Sequence, residues 1–263
     1  DKVVHKMDEI NKLRRAMTEE QLEEALRLME NDNPNNKAIL VHSDKFTEGI
    51  IGIIAGRLVD KFHKPVIVLC PNKDGTYKGS CRSIPGIDIE GVLDSLSPDL
   101  INFGGHTMAA GLTIDPSMIE EFKSKLMCLC DSYKDELYEN VIDIDLVIIE
   151  QDVSLSLCKL VELLGPYGNS FRKPVFFLKD FCVDLNKSLQ NKNCSVYVGK
   201  DCKTLRLVGK TGLCSIGFKA GDKYRKMGEP SMLSLVGYPS VNEFNGNSYP
   251  QFIIEKGYLV RSR

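Results

Sequence analysis

The hydrophobic pattern of this chain of 263 residues changes near Asn140, and that change limits the folds the chain can adopt. Before Asn140, short apolar runs alternate with stretches of helical spacing, which is typical of an α/β layer domain. After it, short β-forming runs are separated by Gly, Asn and Lys clusters, which is typical of a small closed barrel or a sandwich. The sequence therefore predicts two domains, as its length also does.

The first part predicts a long helix followed by an α/β domain. Over residues 2–31, apolar residues recur every three to five positions, so we expect one helix, or two joined near Thr18 with Thr18 and Gln21 in a capping box. Strands are then expected at residues 38–41, 65–69, 77–83 and 107–114, and helices at 50–62, 88–96 and 116–138.

The second part predicts mainly strands. Residues 141–146 alternate at period two, which would place Asp143 and Asp145 on a solvent face, and a short helix is expected near 155–164. Five or six strands in this region favour an OB-type barrel over an immunoglobulin sandwich. The expected strands are residues 175–183, 194–198, 204–208, 213–218, 232–238 and 252–260.

Composition excludes several classes of protein. The nine cysteines form no CxxC pair and only four histidines are present, so neither a zinc site nor a disulfide framework fits. We expect buried thiols in a reducing cytoplasm. The longest apolar stretch is too short for a membrane span, and no signal peptide is evident. The chain begins with Asp1 rather than Met, so a preceding segment is expected.

Charge is distributed unevenly. The net charge is −2, yet residues 171–226 hold 13 basic and 4 acidic side chains, with Phe171, Tyr197, Phe218 and Tyr224 interleaved. Basic residues with aromatic ones between them are typical of a surface that binds single-stranded nucleic acid. The alternative is a set of solvated strand faces and loops.

Gly104-Gly105-His106 is the first motif that could carry chemistry. Two glycines at a helix-to-strand junction predict a tight turn whose backbone N–H groups can hold an anion. His106 could then donate a hydrogen bond to a phosphate or stack on a base. A structural histidine at the end of a loop is the alternative.

Ser80 and Arg82 form the second motif. If residues 77–83 are a strand, the two side chains point to the same face. A hydroxyl and a guanidinium together make a compact phosphate site, because the guanidinium fork matches phosphate oxygens. The alternative is an exposed strand without a ligand.

No catalytic centre is visible in the sequence. The sequence has no DHH motif of the kind that holds two metal ions, and there is no Ser-His-Asp set, P-loop or GxGxxG motif.

Taken together, four ordered blocks resemble RecJ-type single-strand-specific exonucleases of the DHH/DHHA1 phosphoesterase superfamily. The blocks are EGIIGIIAGRLV at 48–59, KPVIV at 64–68, GSCRSIPG at 79–86 and FGGHTMAAGLTI at 103–114. Looser matches follow at 165–168, 174–176 and 205–207.

The resemblance implies a connector helix at 1–32, a DHHA1 domain with a mixed sheet and flanking helices at 33–138, and an OB-type β-barrel at 139–263. In this family a metal-binding DHH domain precedes the connector. We therefore expect manganese or magnesium, and hydrolysis of the phosphodiester, in that DHH domain, and neither catalytic nor metal-binding residues in this chain.

The resemblance also implies a role for the chain: to grip single-stranded DNA for a cytoplasmic 5′–3′ exonuclease of DNA repair and recombination. By family analogy, a single-strand-binding protein and a helicase are expected partners, and a membrane is not. We expect the chain alone to bind single strands weakly without cleaving them. The implied site residues are Ser80 and Arg82 for the 5′-phosphate, and Gly104, Gly105, His106, Phe171, Lys173 and Arg206 for nucleic acid.

The sequence departs from the family pattern in two places. Phe46-Thr47 stands where the family commonly has Trp-His, and 168–173 does not repeat Gly-Asn-Pro. Three other readings stay open: an autonomous nucleic-acid-binding or partner-docking module, a DHH-family phosphodiesterase acting on short oligonucleotides, and a scaffold without a ligand. The phosphodiesterases lack a following barrel, and a scaffold requires a buried Gly-Gly-His segment and paired basic residues.

Overall fold

The computed structural model describes residues 2–30, 32–168, 171–186, 196–199 and 201–261. The chain divides into two compact units, Asp1–Val141 and Ile142–Arg263. The mixed α/β architecture expected from the sequence is confirmed, and each unit has its own sheet.

The first unit is one five-stranded sheet with helices on its faces. The strand order is β1-β2-β3-β5-β4, so β4 is an edge strand; β1 pairs parallel to β2 and the other pairs are antiparallel. Its helices are α1 Lys2–Met29, α2 Glu48–Phe62, α3 Ile89–Ser95 and α4 Ile119–Asp131. Its strands are β1 Ile39–His42, β2 Val66–Pro71, β3 Tyr77–Arg82, β4 Asn102–His106 and β5 Ala109–Ile114.

The two faces of this sheet are covered differently. One face packs on α3 and α4, where Leu40, Cys81, Leu112 and Phe122 are buried in one apolar cluster. On the other face α2 packs against β2 and β3, and α1 packs against α2 and β1. The alternate residues of β3, β5 and β4 on this second face are half-buried or exposed. The fold therefore leaves half of one sheet face open beside α2.

The second unit is one seven-stranded sheet in the order β6-β7-β11-β12-β10-β9-β8. Its edge strands β6 and β8 do not pair with each other in the described residues, so the barrel closure expected from the sequence is not present there. Its helices are α5 Leu155–Leu163 and α6 Gly221–Lys226. Its strands are β6 Leu146–Ile148, β7 Phe176–Cys182, β8 Tyr197–Val198, β9 Thr204–Val208, β10 Cys214–Gly217, β11 Met232–Phe244 and β12 Asn247–Arg261.

Of the two alternatives for residues 2–31, the single helix is confirmed and the capping box is wrong. Thr18 lies inside the helix, where its hydroxyl donates to the Arg14 carbonyl, while Gln21 bonds to Thr47 at the α2 N-terminus. A bond within the helix thus uses Thr18, and a tertiary contact uses Gln21. In contrast, Asp88 does cap α3, by accepting from the Glu90 N–H.

Strand boundaries were also partly wrong. Residues 141–145 form no strand, because the Asp145 carboxylate accepts from the Val175 N–H and pairs with Arg172, and β6 starts only at Leu146. Helix α4 ends at Asp131, before the expected residue 138. Part of the expected strand 194–198 lies outside the described residues.

Candidate functional site

The open half of the first sheet gathers the predicted residues into adjacent rows. The registers of β3, β5 and β4 place residues directly opposite one another, and residues two apart share a face. Arg82 and His106 are therefore two strand spacings apart, roughly 10 Å, with Ala109 between them. The three rows are Lys78–Thr113–Asn102, Ser80–Gly111–Gly104 and Arg82–Ala109–His106.

A cavity of about 660 Å³ lies over these rows, beside the N-terminal half of α2. Ser80, Arg82 and Gly104 line it, together with Gly49 and Gly52 of the helix. Gly105 and His106 do not line it. The structure thus places the hydroxyl, the guanidinium and the first glycine of the Gly-Gly-His motif around one space.

Arg82 supplies uncompensated positive charge in this cavity. Its Nη1 donates to Ser80 Oγ over 3.2 Å and to the Cys81 carbonyl over 2.8 Å, which fixes the guanidinium beside the hydroxyl. No carboxylate lies within ion-pair distance of Arg82 in the described residues. Glu48, the only acid lining the cavity within the described residues, pairs with Lys78 over 2.8 Å, and that hydrogen bond raises the pKa of Lys78.

The N-terminal turn of α2 faces the same cavity. Its N-cap residue Thr47 makes no side-chain cap, because its hydroxyl accepts from Gln21 Nε2 over 2.9 Å. The first N–H groups of α2 therefore have no side-chain acceptor from their cap. The positive end of a helix favours anions, so it reinforces the charge of Arg82.

The Gly-Gly-His motif has a different structure from the expected one. Residues 103–106 belong to the edge strand β4, and the turn lies at Thr107 and Met108. The expected backbone anion nest at the double glycine is therefore wrong. A Cβ on Gly105 would lie 2.4 Å from the Ala110 Cα, so packing of the two strands requires this glycine, whereas Gly104 has nothing within 4 Å. His106 is exposed.

In the second unit, Phe171 and Lys173 lie in an aromatic cluster. The Phe171 ring stacks on Tyr167 with centroids 5.6 Å apart and is 54% exposed. Lys173 Nζ lies 3.8 Å from the Tyr238 ring centroid and 5.6 Å from that of Tyr167. Burial, and then the charge of Glu255, raise the pKa of Tyr238.

Arg206 lies on the same sheet face as Tyr238. The registers of β9, β10, β12 and β11 form one row, Arg206–Ile216–Ile253–Tyr238, which spans roughly 14 Å. These four residues are half-buried, and the residues that alternate with them, such as Leu207 and Phe252, are buried in the core. The row thus lies on the outer face of the sheet.

A cavity of about 820 Å³ adjoins this row. Arg206 lines it together with the amides Asn242 and Gln251 and the half-exposed ring of Tyr249. Among the described residues that line this cavity, the acidic one is Glu150, which accepts hydrogen bonds from the backbone N–H and the hydroxyl of Thr211. Arg206 has no carboxylate partner in the described residues.

The aromatic residues of the basic stretch 171–226 are not all exposed for contact with a nucleic acid. Tyr224 is 1% exposed and belongs to the core, so its expected place on a binding surface is wrong. Tyr197 is bonded to Glu229, and the Arg225 guanidinium lies 4.0 Å from its ring centroid. Phe171 and Phe218 are exposed.

Sequence reasoning did not find several residues around the two cavities. Gly52, Lys78 and Asn102 line the first cavity, and Tyr238 and Tyr249 belong to the outer face of the second sheet. Local period-two alternation could have identified the tyrosines, because Tyr238 lies between two buried residues and Tyr249 is opposite in parity to the nearby buried Phe252 and Ile254. Gly52 gives no such signal, since its role depends on what the helix packs against.

No group of three or more metal-ligating side chains is found in the described part of the chain. Nor does any helix described here have the length and apolar character that a membrane crossing requires.

Comparison with known proteins gives two family matches. The DHHA1 domain model matches residues 35–129, and the RecJ OB domain model matches residues 144–256. The chain belongs to the RecJ family. The OB-type prediction for the second unit is thereby confirmed at the level of the family.

Curated members of the RecJ family are longer than this chain. The single-stranded-DNA-specific exonuclease RecJ of Bacillus subtilis is 30% identical over 258 residues, which are 97% of this chain and 32% of that protein. The RecJ of Salmonella typhimurium is 33% identical over 179 residues, 65% of this chain and 31% of that protein. The chain thus spans about a third of these relatives.

A solved structure shares the fold. RecJ from Thermus thermophilus, crystallised in complex with Mg²⁺, superposes with a TM-score of 0.75 at 22% identity, covering 99% of this chain and 38% of that one. A Mn²⁺ complex of the same protein gives a TM-score of 0.74.

Proposed function

We propose that this chain is the part of a RecJ-type single-stranded-DNA-specific exonuclease that grips the substrate, with the first unit holding the 5′-terminal phosphate and the second holding the strand. The observation that carries the proposal is the cavity beside α2. Ser80, Arg82 and the N-terminal turn of α2 all face this space; Arg82 has no acidic partner among the described residues, and the turn has no side-chain cap.

The chemistry of this cavity suits a phosphate monoester. A guanidinium and a hydroxyl donate to phosphate oxygens, and the helix N-terminus favours the negative charge. Because Lys78 neutralises Glu48, the guanidinium charge is left over for the ligand. A terminal phosphate carries more charge than an internal phosphodiester, so the site would favour strand ends.

The outer face of the second sheet suits the rest of the strand. Arg206 and Lys173 can contact backbone phosphates, and Tyr238, Tyr249 and Phe171 offer rings for bases. Stacking on aromatic side chains tolerates any base, as a nuclease without sequence preference requires.

The domain division 1–32, 33–138 and 139–263 remains part of this proposal. We place hydrolysis, with manganese or magnesium, in a DHH domain outside this chain; the metal complexes of the Thermus relative support this choice. The cellular setting is proposed on the family relationship alone: a cytoplasmic 5′–3′ activity in DNA repair and recombination, with a single-strand-binding protein and a helicase as partners. An autonomous binding module remains the alternative, and a DHH-encoding segment directly upstream would distinguish the two.

Binding of 5′-phosphorylated and 5′-hydroxyl thymidine oligonucleotides to the chain tests the proposal. We expect fluorescence anisotropy to show tighter binding of the phosphorylated end. Arg82→Ala should lower the ratio of the two affinities by a factor of roughly 10 to 100, because a hydrogen bond to a charged group contributes about 1.5–3 kcal/mol. Arg82→Lys should keep only part of it, since a lysine lacks the planar fork.

Arg57→Ala is the matched control. It makes the same change of charge on α2, where Arg57 pairs with Glu19 and does not line the cavity. If Arg82→Ala binds phosphorylated ends with the preference of the unmodified chain, or if the unmodified chain shows no preference, the phosphate assignment is wrong.

A further inference from the structure

Helix α2 contains three glycines, Gly49, Gly52 and Gly56, although glycine disfavours a helix interior. None of the three has a positive φ, so backbone conformation does not require glycine at any of them. A Cβ on Gly49 or Gly56 would meet nothing within 4 Å. Gly52 alone among the three has close neighbours at the Cβ position.

Those neighbours are the proposed phosphate ligands. A Cβ at position 52 would lie 3.2 Å from Ser80 Oγ and 3.3 Å from Arg82 Nη2. Both distances are tighter than ordinary contacts between carbon and a polar atom, so one partner would have to move. Arg82 cannot move freely, because its Nη1 is already bonded to Ser80 Oγ and the Cys81 carbonyl.

We infer that Gly52 is a specificity-determining residue: the absence of its side chain keeps Ser80 Oγ and Arg82 Nη2 open to a terminal phosphate. Nη2 makes no hydrogen bond with the described residues, and its neighbour across the gap is the bare helix backbone. A methyl group at position 52 covers the helix side of both donors. Glycine allows a backbone to come close to a ligand in this way.

The inference rests on the proposed phosphate site, and its test is the effect of Gly52→Ala on the preference for a 5′-phosphate. We expect the ratio of the two dissociation constants, for 5′-hydroxyl and 5′-phosphorylated oligonucleotides, to fall by roughly 10-fold, the loss of one charge-assisted contact. Gly56→Ala is the control, because it makes the same exchange in the same helix away from the cavity. It should keep the ratio of the unmodified chain.

The outcomes separate the two claims. If Arg82→Ala loses the preference and Gly52→Ala keeps it, Gly52 has no role in specificity and the phosphate site stands. If neither variant changes the preference for the 5′-phosphorylated oligonucleotide, or if the unmodified chain has no such preference, the proposed phosphate site is wrong and the inference about Gly52 is wrong with it. Thermal melting followed by circular dichroism shows whether each variant is folded.

A measurement on the unmodified chain serves if Gly52→Ala does not fold. With ¹⁵N-glycine labelling, the amide signal of Gly52 should shift on addition of the 5′-phosphorylated oligonucleotide and not of the 5′-hydroxyl one. The Gly56 signal should stay in place with both. Equal shifts of the Gly52 signal with both ligands, or none with either, would overturn the inference.

Discussion

Replacing the two adjacent glycines of β4 one at a time should change stability by very different amounts. The alanine Cβ of Gly105→Ala would lie 2.4 Å from the Ala110 Cα, 2.5 Å from the Ala109 carbonyl oxygen and 2.6 Å from the Ala110 Cβ. Carbon atoms in contact normally stay about 3.5–4.0 Å apart. Strands β4 and β5 would therefore have to separate by roughly 1 Å.

The size of the effect follows from what obstructs the methyl group. Overpacking costs about 1–3 kcal/mol, and we expect the upper end because backbone atoms cannot rotate away. Gly104→Ala meets nothing within 4 Å, so it should be neutral or stabilise by about 0.5–1 kcal/mol, since it removes glycine from a strand. The two neighbouring variants should thus differ by roughly 3 kcal/mol.

Hydrogen exchange measured by mass spectrometry can resolve this difference without a tryptophan probe, which the chain lacks. Peptides from β4 and β5 should lose protection in Gly105→Ala and keep it in Gly104→Ala. Peptides from Ile142–Arg263 provide an internal reference, because that unit has its own core. Equal protection in the two variants would show that the glycines are interchangeable and that the register of β4 is wrong.

Three further predictions concern the second sheet and one buried thiol. Tyr238→Ala should weaken binding of single-stranded DNA by about 1–3 kcal/mol through lost stacking. Lys173→Ala should reduce the slope of the logarithm of the binding constant against the logarithm of salt concentration by about 0.7. Anisotropy titrations that show unchanged affinity in the first variant, or an unchanged slope in the second, would contradict the respective prediction. Burial raises the pKa of the Cys81 thiol to about 12 from its ordinary 9.0, so the unfolded chain loses this proton first. The free energy of unfolding measured in urea should accordingly be unaffected by this thiol below pH 9 and should fall above it, by roughly 1 kcal/mol per pH unit. Cys81→Ala should remove part of that fall.

Local sequence was sufficient for much of the fold. The apolar runs of β1 and β2, the helical spacing of α2 and the cap at Asp88 are signals carried by residues near one another in the chain. The pairing of Ser80 with Arg82 could likewise be predicted, because residues two apart on a strand share a face. The order of four motifs was enough to indicate the family.

Local sequence was not sufficient where contacts between distant segments compete with it. Thr18 and Gln21 resemble a cap, yet Gln21 bonds to Thr47, 26 residues away. The double glycine resembles a turn, but pairing with β5 makes it an edge strand, and only the register reveals that Gly105 is required for packing while Gly104 faces the cavity. Tyr224 resembles a surface aromatic until α6 carries it into the core.

The sequence by itself determined the two domains, the family and the candidate ligands Ser80 and Arg82, because periodicity and motif order are properties of the chain alone. Only the tertiary structure decided which half of the first sheet stays open, that Arg82 lacks a described acidic partner and that Gly52 faces it. These depend on how α2 lies across strands distant in sequence, and free space and unpaired charge exist only between elements that have already packed.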